Sequence, residues 1–214
     1  MSHVRVFLYP LYERIWHWVQ ALTVLVLLLT GLEIRDHVRV VGFETAIAVH
    51  NALGLFLLAN AFLGLFYFVT SGAIRQYVSE PRDFGTLAAK QALYYLKGIF
   101  RGEPHPVERT AKARLNPLQQ SVYLVILNVL LPWQVFTGLA IWGLERWPHL
   151  EDAIGGLPVL LPLHALGSWV FAAFIVMHVY LTTTSGRRPL SGIEAMITGW
   201  EEVPAPAAAK EDRS

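Results

Sequence analysis

Four stretches of this 214-residue chain are apolar over lengths that no ordinary soluble core requires: near Ile15–Leu32, Thr45–Thr70, Leu118–Leu144 and Leu157–Thr184. Crossing the hydrocarbon of a bilayer takes about 20 residues at about 1.5 Å rise each, and all four qualify or come close. The expected fold is all-α and integral to the membrane, a four-helix transmembrane bundle. Composition agrees, with 54% hydrophobic and only 15% charged residues, far from the balance of a soluble domain. The first stretch does not read as a signal peptide. Glu13 and Arg14 border it, aromatic residues begin it, and no small-x-small cleavage site follows.

The net charge of +1 hides a segregation along the chain. Of the 17 basic residues, fourteen fall before the first span, between the second and third, or after the fourth; only Arg35, Arg39 and Arg146 fall in the two remaining loops. The positive-inside rule then places both termini and the long second loop in the cytoplasm. That loop, Ser71 to Pro117, is too long to be structureless. Within it Ala88, Ala92, Tyr95, Leu96 and Ile99 can share one helical face and Lys90, Lys97 and Arg101 another. Such an amphipathic helix suits an anionic membrane surface, and an ordinary docked helix fits the same pattern. Residues 201–214 are polar and rich in Ala and Pro, and are expected to form a disordered tail.

The chain has no cysteine, which excludes disulfides, thiolate metal sites, iron–sulfur clusters and covalently attached haem within this polypeptide. Histidine is the main soft ligand left. Four of the eight histidines, His17, His50, His164 and His178, fall inside the spans, where a polar ring is costly unless paired or liganded. His3, His37, His105 and His149 lie in polar loops or termini and are expected to be solvated. His164 and His178 lie fourteen residues apart, which returns them to within roughly 40° of the same helix face at depths about 21 Å apart. His50 enters its span at the depth of His164, and His17 lies near the depth of His178. Depth and phase therefore pair His50 with His164 at an outer site and His17 with His178 at an inner one. Two neutral histidines make a poor structural zinc site, which wants three or four protein ligands. They suit a haem iron, which takes one axial nitrogen on each porphyrin face from facing helices. The expectation is two b-type haems held by a domain spanning residues 1–200.

Other residues attach to these sites with a plainer reading beside each. Gly54 and Gly64 follow His50 by four and fourteen residues, near its face, and Gly167 lies close to the face of His164; they leave room for a planar guest or serve helix packing. Arg14, and Arg187 or Arg188, could pair with inner haem propionates, and Arg35 or Arg39 with outer ones, or all could be charges that set topology. Trp16, Trp18, Trp142 and Trp147 read as interfacial anchors. A weak repeat runs through the chain: Leu29-Thr30-Gly31-Leu32 in the first span against Phe136-Thr137-Gly138-Leu139 in the third, and His50-Asn51-Ala52-Leu53-Gly54 against His164-Ala165-Leu166-Gly167. Duplication of a hairpin and chance recurrence in apolar helices both account for it.

The motifs Arg14-Ile15-Trp16-His17-Trp18 with Thr30-Gly31, His50 opening the second span, Asn116-Pro117-Leu118-Gln119, His178-Val179-Tyr180-Leu181-Thr182-Thr183-Thr184, and Pro189-Leu190 to Met196-Ile197-Thr198-Gly199-Trp200 together resemble a known family. It is that of the bacterial cytochrome b561-like and nickel-iron hydrogenase-type cytochrome b subunits, which includes membrane subunits of formate dehydrogenase and thiosulfate reductase. The resemblance runs from about Tyr9 to Glu202. It implies haem ligation by helices one and four on the cytoplasmic side and by helices two and four on the periplasmic side, with a quinone site near the inner haem and Asn116 contacting the quinone. Asn before Pro equally suits a helix N-cap.

The resulting expectation is an electron-transfer subunit of the bacterial inner membrane, linking a periplasmic iron–sulfur or multihaem partner to quinone, in contact with lipid and with no nucleic-acid partner. A self-contained oxidoreductase passing electrons from superoxide or a small reductant to quinone is the alternative. A histidine-lined transporter or scaffold is a third class, disfavoured because intramembrane polar residues other than the histidines look few.

Overall fold

The computed structural model describes residues 3–77, 84–103, 106, 115–144, 146–184 and 188–204. A short strand β1 (His3–Phe7) leads into α1 (Leu11–Ile34) and α2 (Phe43–Thr70). Helix α3 (Phe84–Leu93) runs on through a π turn at Tyr94–Gly98 and a 3-10 turn at Ile99–Arg101. Then come α4 (Pro117–Leu144), α5 (Gly156–Thr184), α6 (Ser191–Thr198) and strand β2 (Trp200–Pro204). Helices α1, α2, α4 and α5 are the four that are long and apolar enough to span a membrane, and their bounds fall within a few residues of the four apolar stretches.

The chain divides into two compact units. One comprises Ile15–Ile74 and Tyr123–Leu181, the bodies of the four long helices. Its interior is lined by small residues: Ala46, Gly64, Thr137, Gly143 and Gly167 are buried. Large apolar side chains such as Leu22, Phe66, Phe136 and Val176 point outward. That inversion is what lipid solvent dictates, since tails cover Leu and Phe at no cost while helices associate through close backbone approach. In α4 the turn at Ile126–Leu130 widens to π geometry just before Pro132, whose ring nitrogen has no hydrogen to give the helix ladder.

The polar side chains of these spans are more numerous than they looked in the sequence, and several are paired. Asn60 donates to Gln20 at 3.0 Å and Gln134 donates to Ser168 at 3.0 Å, each across two helices. Glu33, at the end of α1, is buried and accepts from the backbone N–H groups of Val40, Val41 and Gly42 at 2.8, 2.9 and 2.7 Å. One carboxylate thus satisfies three successive donors ahead of α2, a charge-assisted arrangement.

The second unit comprises Met1–Arg14, Arg75–Val122 and Thr182–Ser214. Strands β1 and β2 pair antiparallel, with Phe7 opposite Trp200 and their rings 5.2 Å apart. Strand β2 takes in Glu201–Pro204, the first residues of the expected tail, and residues 205–214 lie outside the described residues. Gly199 turns the chain from α6 into β2 at φ +88, and a Cβ there would sit 2.6 Å from the Phe7 ring, so both its backbone angle and its surroundings require glycine. Arg14 donates to the Ile197 carbonyl, fastening α1 to α6.

The expected face of the loop helix splits. Gln91 and Tyr95 are buried, whereas Leu93, Leu96 and Phe100 are exposed beside Lys90, Lys97 and Arg101. The π turn at Tyr94–Gly98 shifts the helical phase, and Tyr95 is drawn inward by Asn116, which donates to its hydroxyl at 3.1 Å. His105 and Arg187 lie outside the described residues.

Candidate haem site

Helix α5 carries both His164 and His178, and each meets a histidine from another helix. The rings of His50 and His164 have centroids 6.2 Å apart, and those of His17 and His178 have centroids 6.1 Å apart. A metal–imidazole bond is about 2 Å, so two imidazoles on opposite faces of one iron place their ring centroids about 6 Å apart. Both pairs fit that requirement. Neither is joined by further His, Asp or Glu: among the described residues no group of three such side chains could hold a metal ion. The donor set is two neutral nitrogens at each position, which suits an iron whose other four ligands come from a porphyrin.

At the first pair the rings are held by the helices that carry no histidine at that depth. Thr30 of α1 donates its hydroxyl to the Val26 carbonyl at 2.9 Å, and its oxygen lies 2.9 Å from Nδ1 of His50. Thr137 of α4 donates to the Trp133 carbonyl at 2.8 Å, and its oxygen lies 2.9 Å from Nδ1 of His164. The glycine after each threonine makes room for the same ring. A Cβ on Gly31 would lie 3.5 Å from Cε1 of His50, and one on Gly138 would lie 3.2 Å from Cε1 of His164. The repeated Thr-Gly is thus the support of the repeated His. The sequence showed the repeat; which residue each copy serves depends on contacts between helices.

The second pair is built differently. Phe174, one turn before His178, stacks on its ring with centroids 5.5 Å apart, and Tyr123 of α4 meets Phe174 edge-on. Trp18 meets His17 edge-on at 5.2 Å. Nδ1 of His17 is buried with no hydrogen-bond partner. Among the described residues this nitrogen thus has no counterpart to the threonines of the first pair.

The other expected site residues fall as follows. Gly54 faces open space, while Gly64 faces the Trp16 indole, whose Nε1 donates to the Asn60 carbonyl at 3.0 Å. Trp16 therefore packs between α1 and α2. Gly167 lies against Gln134 and Trp133. Arg188 pairs with Glu194 at 3.8 Å, both exposed. Asn116 is a helix cap: its Oδ1 accepts from the Gln119 N–H at 2.9 Å, and Oε1 of Gln119 accepts from the Asn116 N–H at 3.1 Å. This reciprocal pair is a capping box. It occupies the Asn116 oxygen, while Nδ2 donates to Tyr95.

Four apolar helices presenting two facing imidazole pairs define a membrane cytochrome of the b type. The chain belongs to the prokaryotic cytochrome b561 family, whose model matches residues 8–199. It is 35% identical to an Escherichia coli protein named as cytochrome YdhU, over 92% of this chain and 74% of that one. It is 25% identical to a Rhizobium leguminosarum protein named as a Ni/Fe-hydrogenase B-type cytochrome subunit, over 91% and 87% of the two chains. It is also 26% identical to the F420 non-reducing hydrogenase II cytochrome subunit of Methanosarcina mazei, over 80% and 73%. No solved structure matches. With the family goes the coarse function: a multi-pass membrane protein that carries haem b and transfers electrons.

Proposed function

We propose that the chain is the di-haem membrane subunit of a quinone-linked redox complex of the bacterial inner membrane, joining a periplasmic redox partner to the quinone pool. The carrying observation is that one helix, α5, brings two histidines to two depths and each faces a histidine of another helix at about 6 Å. Bound there, two haems would supply reversible one-electron chemistry at two levels of the membrane; the polypeptide supplies ligands, orientation and burial.

His50 and His164 would hold the outer group, and His17 and His178 the inner one. The topology rests on the excess of Lys and Arg on one side. Four crossings would return the chain to its starting side, in keeping with the pairing of β1 with β2. Relatives named as hydrogenase cytochrome subunits support a catalytic partner, and the outer face of the bundle is where an iron–sulfur or multihaem protein would dock. Quinone would bind on the side of the inner pair, with the Nδ2 group of Asn116 as its contact. The exposed Leu93, Leu96 and Phe100, flanked by basic residues, would rest on the anionic cytoplasmic leaflet.

The deciding experiment is a reduced-minus-oxidised spectrum of the purified chain with haem quantified per polypeptide. Two b haems are expected, and a colourless stable preparation would return the chain to the transporter or scaffold class. Copurification of a redox partner separates a subunit from a self-contained oxidoreductase, which would turn over small reductants unaided.

A further inference from the structure

Both histidines of one pair are buttressed in the same way, from different helices. A threonine hydroxyl has one hydrogen. In Thr30 it goes to the Val26 carbonyl, and in Thr137 to the Trp133 carbonyl, at 2.9 and 2.8 Å. With the hydrogen directed there, each oxygen turns a lone pair toward the imidazole nitrogen 2.9 Å away, an arrangement that calls for hydrogen on Nδ1. A neutral imidazole protonated at Nδ1 has its lone pair on Nε2, the nitrogen that binds metal. Threonine bonding back to its own helix is common in membrane spans and by itself signifies little. Here two such threonines address the two members of one facing pair, and each is followed by a glycine whose missing side chain lets the ring approach.

We infer that Thr30 and Thr137 are a matched pair of positioning residues that fix the tautomer and rotation of His50 and His164, and so set the reduction potential at that site apart from the potential at His17 and His178. The inference rests on the two-haem reading above. The contrast lies within the molecule, because Nδ1 of His17 has no hydrogen-bond partner. An acceptor on the distal N–H of a metal-bound imidazole makes the ring a stronger donor. It favours the ferric over the ferrous state and lowers the potential. Removing it raises the potential at that site alone.

The test is a potentiometric titration of the purified full chain against Thr30→Val and Thr137→Val, which keep shape and lose the hydroxyl, and Thr30→Ser and Thr137→Ser, which keep it. With two haems retained, each Val variant is expected to raise one of the two midpoints and leave the other in place. Loss of an outer-shell partner is commonly worth about tenfold, and a tenfold change in ferric preference reads as about 59 mV for a one-electron couple. The Ser variants should titrate like the wild type. A Val variant that keeps one haem, where its Ser counterpart keeps two, supports the same role through retention. The inference is overturned if both midpoints stay fixed with both haems present, if both move together or both haems are lost, or if Ser behaves as Val. Fewer than two haems in the wild type overturns the two-haem reading and the inference with it, a result visible before any variant is made.

Discussion

His178 lies on the same helix as His164 but stands in a different environment: its ring is stacked on Phe174 at 5.5 Å, while the ring of His164 hydrogen-bonds to Thr137 at 2.9 Å. One helix therefore presents an aromatic-flanked imidazole at one depth and a hydroxyl-held imidazole at the other, and the two sites can be taken apart separately. His164→Ala is expected to lower haem from two per chain to one while leaving the His17–His178 site filled, and His178→Ala to do the converse. Haem extraction with a pyridine haemochrome assay measures both. Unchanged haem content in either variant would sink the ligand assignment.

The glycines beside the first pair are predicted to differ. A Cβ at residue 31 would meet His50 at ordinary van der Waals distance, 3.5 Å, whereas one at residue 138 would meet His164 at 3.2 Å. Gly31→Ala should be tolerated. Gly138→Ala should displace the ring and weaken haem retention by about tenfold, as for other disturbances just outside the ligand shell. The comparison of haem off-rates in apomyoglobin capture tests this, and equal rates for the two variants would refute it.

Glu33 offers a stability prediction independent of haem. Glu33→Gln keeps the shape but replaces a charged acceptor of three N–H bonds with a neutral one, which weakens each of them. Thermal unfolding in detergent should show a midpoint drop for Glu33→Gln and a larger one for Glu33→Ala. A Gln variant as stable as the parent would show that the loop ahead of α2 finds other partners.

Asn116 separates capping from quinone contact. Asn116→Ser retains a good N-cap but removes the Nδ2 donor, whereas Asn116→Ala loses both at about 1 kcal/mol of stability. If the amide contacts quinone, Ser already raises the KM for a soluble quinone analogue with little change in melting temperature. A KM that moves only in Ala would leave Asn116 as a cap and nothing more.

Much of the fold could be read from the chain because the interactions that govern it are local. Span length follows from apolar runs, and the proximity of His164 to His50 and of His178 to His17 follows from helical phase and depth. What escaped the reading depends on contacts between distant segments. The role of Glu33 is one such case, since nothing near it in the chain announces three N–H groups to be satisfied seven to nine residues on. Of the two readings open for Gly64, room for a guest and helix packing, its contact with the Trp16 indole favours packing. Leu96 shares its exposure with Leu93 and Phe100 rather than with Tyr95, because a π turn breaks the regular 3.6-residue period.

The ladder between β1 and β2 carries a consequence for how the protein is made. Residues 3–7 emerge from the ribosome before these four spans, and their partners at 200–204 emerge after them. Throughout insertion, the first strand presents an unpaired edge, the kind of surface that recruits foreign strands. The clasp can close only when all four helices are in place, so protection of β1 from protease during synthesis would report completed assembly.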